Sequence, residues 1–160
     1  MPETIETQTN PQINITLFML ENKCESFALS LHALDLKIPL SIDQYEFNFI
    51  INFNINQATH HARVSTLVKL LEKKADNSRI ELAELKSTHL FLIQNFEEVI
   101  YSNSQGQMLI PNPLMEVCNS VAVSSARGMF SIKTENTVLN NAIIPLMDAK
   151  SLIPQIPIVE

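Results

Sequence analysis

From Tyr45 to Asn56 every odd position is apolar (Tyr45, Phe47, Phe49, Ile51, Phe53, Ile55) and every even one except Ile50 is polar. Side chains two residues apart share a face only in an extended strand, and a helix would scatter these aromatics around its circumference, so the segment predicts a half-buried β-strand. Ahead of it Ile13, Ile15, Leu17 and Met19 alternate with mostly polar neighbours, and Phe27, Leu29 and Leu31 resume the odd parity after the charged stretch 21–25. The pattern reads as one long first strand, bent or bulged near Asn22. Val64, Val68 and Leu70 within 62–73, and Ile80, Leu82, Phe91 and Ile93 within 79–99, predict a third and a fourth strand. In the fourth, the apolar parity shifts between Leu82, Leu85 and Leu90, which places a bulge at 86–88. Residues 37–43 and the Asp-Asn-Ser turn at 76–78 are too short for the crossovers that parallel strands need, so the sheet is expected to be an antiparallel meander of four strands.

Beyond Gly106 the period becomes helical. Asn112 suits a cap and Pro113 the first helical position; Leu114, Val117, Cys118, Val121, Ala122 and Ser125 then recur at three-and-four spacing until Arg127 and Gly128. These signals predict a helix over 112–127, stopped by Gly128. Its only charges are Glu116 and Arg127, and its other side still shows Met115, Val123 and Ala126. Two readings stay open: a helix enclosed by its own fold, or one packed on the sheet and also against another subunit. A Thr/Asn-rich connection over 133–141 and an apolar stretch, Ile143 to Met147, come next. The fold class is therefore α+β, a single domain over 1–160 with a flexible start (1–11) and an extended tail (154–160).

Composition narrows the function. Hydrophobic residues make up 46 % and charged residues 18 %, against roughly 25 % charged in an average soluble chain. Some of the surface is therefore expected to be covered by a partner. A net charge of −6 disfavours nucleic acid, whose phosphates need cations to neutralise them. With only two glycines, Gly106 and Gly128, the chain has no phosphate-cradling loop. The first ten residues lack the basic start and apolar middle of a secretory signal, and no window approaches the roughly 20 apolar residues of a membrane span, so a cytoplasmic location is expected. Cys24 and Cys118 then read as reduced, buried thiols.

Candidate chemistry is sparse. His60 and His61 are neighbours that a strand points to opposite faces, and His32 and His89 have no Cys, Asp or Glu at a ligand spacing, so no metal site is expected. No Gly-x-Ser-x-Gly elbow occurs, Cys118 lies on the apolar helix face, and Glu81, Glu84, Glu97 and Glu98 read as a solvated face. The chain is expected to be no enzyme and to need no cofactor. Surplus apolar residues remain: Met108, Leu109, Ile110, Leu114, Met115, Met129, Phe130, Leu146 and Met147, with Phe47 and Phe49 of the second strand. Either they line a groove that repacks around differing ligands or they fill the core, which is what apolar residues beside a helix usually do.

The order of elements, together with an apolar-Pro step before the helix (Ile110-Pro111), the Arg127-Gly128 pair, a Leu-x-Glu step in the last strand (Leu82-Ala83-Glu84) and the run Ile144-Pro145-Leu146-Met147-Asp148, resembles the SecB family of protein-export chaperones over roughly residues 12–153. The resemblance implies an ATP-independent holdase that binds unfolded or pre-export polypeptides in apolar grooves. It also implies a homotetramer built as a dimer of dimers, and docking to a SecA-type ATPase through Leu82 and Glu84. On one strand these two side chains would share a face. The stretch 24–28 keeps only part of the acidic docking surface usual in the family, the connection between Gly128 and Pro145 is longer than usual, and the second helix is cut to about 148–153. These departures keep a second reading open, a dedicated adaptor or antitoxin-type chaperone for one partner protein.

Overall fold

The computed structural model describes residues 14–152 and 158–159. In chain order these form β1 (Leu17–Leu29), α1 (Leu31–Asp35), a 3-10 turn (Ile42–Gln44), β2 (Tyr45–Asn56), β3 (His61–Lys73), β4 (Arg79–Ile93), α2 (Phe96–Val99), the two-residue strands β5 (Tyr101–Ser102) and β6 (Met108–Leu109), α3 (Asn112–Thr134), a second 3-10 turn (Ala149–Leu152) and β7 (Ile158–Val159). The flexible start expected at 1–11 lies outside the described residues, as does most of the tail.

The main sheet has the order β1-β4-β3-β2-β7. Its first four strands are antiparallel, but they are not the expected meander. Only β2, β3 and β4 follow one another in space; β1 pairs with β4, and residues 30–44 cross from one edge of the sheet to the other. Tight turns made the β2–β3–β4 portion readable. Asn77 takes a left-handed φ of 65°, which Asn tolerates, and Asp76 Oδ1 accepts from the Ser78 amide at 2.9 Å. His60 ends the other turn at φ 57° and stacks on Phe96 of α2, ring centroids 4.5 Å apart.

Register explains which side chains point in. On the inner face the cross-strand rows are Phe47-Leu70-Ala83-Leu29, Phe49-Val68-Leu85-Phe27, Ile51-Thr66-Ser87-Cys24, Phe53-Val64-His89-Asn22 and Ile55-Ala62-Phe91-Met19. β1 carries extra residues at Leu20 and Glu25, either side of the bend expected at Asn22. The bulge expected at 86–88 of β4 is instead that extra residue in β1, opposite Lys86 and Ser87. The bulge of β4 itself falls at Leu82, where Leu70 and Leu71 pair with Ala83 and Glu81. A bulge breaks the alternation of faces, so Leu82 and Ala83 both turn into the core and Glu84 alone points outward. β4 ends at Ile93 rather than continuing to 99, where α2 forms instead.

α3 lies across the inner face and buries Leu114, Met115, Cys118, Asn119, Ala122, Val123, Ala126, Phe130 and Thr134. Gly128 does not stop it. The residue is exposed and costs the helix about 1 kcal/mol relative to alanine, whereas burial of Phe130 two residues on is worth about 2–3 kcal/mol. The Thr134 hydroxyl, donating to Phe130 O at 2.9 Å, closes the last turn. Nor does Asn112 cap the helix; Pro111 holds that position, without a side-chain hydrogen bond. The short C-terminal helix expected over 148–153 is a single 3-10 turn, residue 153 lying outside the described residues. Ile158 and Val159 add to β2 as a parallel strand opposite Asn54 and Ile55.

Two apolar clusters fill the space between α3 and the sheet. One centres on Phe53, Ile55, Phe91, Ile93 and Leu114; the other on Val68, Leu70, Leu82, Leu85 and Phe130.

Candidate functional site

The second cluster opens to solvent where residues 30–44 cross the molecule. That segment is tied to the sheet at its start and capped locally at both ends. The Ser30 hydroxyl accepts from the Ala33 amide at 3.1 Å to cap α1, and the Ser30 amide donates to Leu82 O at 2.9 Å. At the far end the Ser41 amide donates to Gln44 Oε1 at 2.8 Å. In between, Leu34, Leu36, Ile38, Leu40 and Ile42 occupy alternate positions, and only Leu36 and Leu40 lean on the core. Leu31 is 81 % exposed, Leu34 60 %, Ile38 74 % and Ile42 81 %. Four large aliphatic side chains in twelve residues stand in water, which costs about 25 cal/mol for every Å² left uncovered. An exposed apolar row of this kind makes the crossover the candidate binding surface.

Beneath it runs an aromatic floor. Phe130 meets Phe47 and Phe27 edge-on at 5.4 and 5.9 Å, and Phe47 meets Tyr45 and Phe49 at 5.9 and 6.2 Å. Leu40, Tyr45, Leu70, Val138, Leu139 and Ala142 line a shallow hollow beside it. The Arg127 guanidinium holds the returning chain against α3 by donating to Ile144 O at 3.0 Å and Pro145 O at 2.8 Å, which leaves Ile143 and Leu146 outside, the latter 89 % exposed.

The expected groove residues are divided by this arrangement. Phe47, Phe49, Met129 and Phe130 come together in the second cluster, the first three half-buried and Phe130 sealed beneath them. Leu114 and Met115 are sealed in the first cluster and Ile110 packs on its margin, about 24 Å of helix away from Phe130 for Leu114. Met108 also packs there, while Leu109 is exposed and Met147 half-buried. Leu82 is fully buried, which removes it from any surface; the shared face expected for Leu82 and Glu84 fails because of the bulge. The crossover leucines and isoleucines were missed. Their period-two pattern from 34 to 42 was visible, but residues 37–43 looked like a Pro-bracketed polar connection.

Charged groups ring the open end. Glu72, nearly buried, lies 2.6 Å from His32 Nε2 of α1 and 2.8 Å from Lys74 Nζ. Burial pushes its carboxyl up, but the hydrogen bonds from Lys74 and His32 outweigh that and hold it below the usual carboxylate range. On the outer face Glu84 bridges Lys86 at 3.0 Å and Lys69 at 3.2 Å, and the Lys86 hydrogen bond holds it low as well. Glu46 pairs with Arg79 at the sheet corner.

One constellation looks chemical. Ser87 Oγ lies 3.1 Å from His89 Nε2 and 2.5 Å from Thr66 Oγ1. All three are buried, and His89 Nδ1 has no partner among the described residues, so nothing orients the ring as a base and no substrate reaches the serine. Burial holds the His89 pKa down, and the buried Cys118 thiol is pushed up to about 12, leaving it inert. Cys24 is only half-buried, not enclosed as expected. Among the described residues no three His, Cys, Asp or Glu side chains gather as metal ligands, and no helix is long and apolar enough to cross a membrane.

No family model matches the chain, and no curated protein matches its sequence. Solved structures do. The chain is similar to the Mycobacterium tuberculosis Rv1957 SecB-like chaperone, in complex with a ChAD peptide from the Rv1956 HigA1 antitoxin, at 11 % identity and a TM-score of 0.52, over 82 % of this chain and 90 % of that one. The fold is SecB-like. A protein of unknown function from Streptococcus agalactiae also aligns, at 8 % identity and a TM-score of 0.37, over 84 % of this chain and 99 % of that one. On the SecB-like fold of this chain, the helix after the sheet is α3, the apolar-Pro step precedes it as expected, and Arg127 sits inside the helix as the clamp on the C-terminal connection.

Proposed function

We propose that the protein is an ATP-independent holdase chaperone that binds unfolded or pre-export polypeptides on the apolar surface between the crossover 30–44 and the C-terminal half of α3. The carrying observation is the uncovered row Leu31, Leu34, Ile38 and Ile42, set on a fold shared with a SecB-like chaperone. Aliphatic side chains on an irregular backbone suit clients of varied sequence, because such a surface repacks where a rigid pocket does not. No enzymatic step or cofactor enters this reading, and a cytoplasmic location accompanies it.

A homotetramer, a dimer of dimers, belongs to the same proposal. Between Pro113 and Lys133 the charged side chains of α3 are Glu116 and Arg127, and Arg127 is spent on Ile144 and Pro145, so the outward face of the helix is nearly uncharged. If a SecA-type ATPase receives the clients, it docks around Glu84 on the outer face and not on Leu82.

The bound antitoxin peptide in the mycobacterial complex favours a second reading, an adaptor or antitoxin-type chaperone dedicated to one partner. Aggregation assays with several unrelated denatured proteins separate the two. A holdase delays aggregation of most of them at near-stoichiometric ratio; a dedicated adaptor delays none but its own partner; failure with every protein, including those captured from lysate, overturns both.

A further inference from the structure

The two long edges of the sheet are treated differently by the sequence. β1 is blunted: it carries extra residues at Leu20 and Glu25, and an ion pair between Lys23 and Glu25 at 2.9 Å. Bulges and charges are the ordinary devices that stop an edge from recruiting another strand. β2 has no bulge, and its one charge, Glu46, sits at its start and is paired with Arg79. Its register against β3 is unbroken over twelve residues, and it contains no Lys, Arg, Pro or Gly. Along its inner face Phe47, Phe49 and Ile51 are half-buried, and α3 lies mainly over β3 and β4, so the apolar side chains of this edge are open laterally. One strand is already seated there: Ile158 and Val159 pair in parallel with Asn54 and Ile55, leaving the edge from Tyr45 to Phe53 without a strand partner among the described residues.

We propose that the edge of β2 is a docking rail on which an extended segment of a client polypeptide adds as a further parallel strand, and that the chain's own Ile158–Val159 holds one end of this rail in competition with it. This rests on the reading of the protein as a polypeptide-binding chaperone. Backbone hydrogen bonding makes such a site tolerant of sequence, and the pleat sets the preference. Side chains on one face of the added strand meet Phe47, Phe49 and Ile51 and should be apolar; those on the other meet Asn48, Ile50 and Asn52, polar but for the exposed Ile50, and should be small or polar with room for one apolar residue at the centre. Because the tail is tethered, its local concentration is of millimolar order, so a weak intrinsic affinity of roughly 0.1 mM suffices to slow entry about tenfold.

The test uses the full chain and a fluorescein-labelled peptide alternating serine and valine between terminal lysines. Ile158→Pro with Val159→Pro removes the amides of the tail strand, and binding by anisotropy should tighten about tenfold over the parent. Amide hydrogen exchange should show the added protection in β2. Asn54→Cys with Ile158→Cys, oxidised, should weaken binding below the parent, and reduction should reverse it; this pair also serves if the proline variant does not fold. Equal affinity in all forms, protection confined to the crossover, or concentration-dependent dimerisation of the proline variant in place of peptide binding overturns the rail. Aggregation suppression that survives the disulfide lock unchanged would reject the rail and leave the holdase reading standing. Peptide protection of β2 without any aggregation suppression would do the reverse.

Discussion

His89 is a buried ring whose Nε2 meets the Ser87 hydroxyl, itself bonded to Thr66; Asn119 is buried as well. Burial lowers the folded pKa of His89, so the unfolded chain binds the proton more readily. The contribution is therefore absent above about pH 6.5 and becomes a loss of stability below it, at up to about 1.4 kcal/mol per pH unit until the folded value is reached. Urea titrations between pH 7 and pH 5 should show the slope, and His89→Gln should flatten it. Glu72 acts lower on the scale. Its folded pKa is depressed, so its support is present above its unfolded value near 4.5 and is lost as pH falls through the folded one. Leu82 offers a second test. As a core residue at a bulge, Leu82→Ala should cost about 2–5 kcal/mol and lower the melting temperature by several degrees. A surface anchor would lose binding with stability unchanged.

Among the elements, β2 was legible to the residue, because its alternation is uninterrupted and one face is packed while the other is not. The Asp76 turn was equally plain. What the sequence hid were events that alternation cannot encode: the bulge at Leu82, which sends two consecutive side chains inward, and the pairing of β1 with β4 across the crossover. The end of α3 was misjudged for an energetic reason, since one exposed glycine is cheap beside a buried Phe130. Gly128 has no heavy atom of another element near the position a Cβ would take. Gly128→Ala should therefore raise stability by about 0.5–1 kcal/mol, and the melting temperature by about 2–4 °C, in calorimetry. The proposed client surface was half legible. Phe47, Phe49 and Met129, expected at the groove, do come together half-buried in one cluster, whereas the exposed crossover residues were hidden by Pro39 and the flanking polar positions.

At the scale of the molecule, a low charge content, a nearly uncharged outer face on α3 and an aliphatic row in solvent point to a chain built to be covered by other chains, in two places and for two reasons. In the proposed reading one covering is permanent, the assembly of copies through α3, and the other is transient, the client on the crossover. Light scattering should return the mass of a tetramer at micromolar concentration, and a monomer there would remove the assembly reading. The transient covering is the central claim. Its most direct measurement is suppression of aggregation of chemically denatured, unrelated proteins by the parent and by a Leu34→Ser, Ile38→Ser, Ile42→Ser variant, whose substituted side chains are exposed and whose fold should persist. The account predicts near-stoichiometric protection by the parent and its loss in a variant that keeps the parent's circular dichroism and mass. Undiminished protection by that variant, or none by the parent, would contradict it.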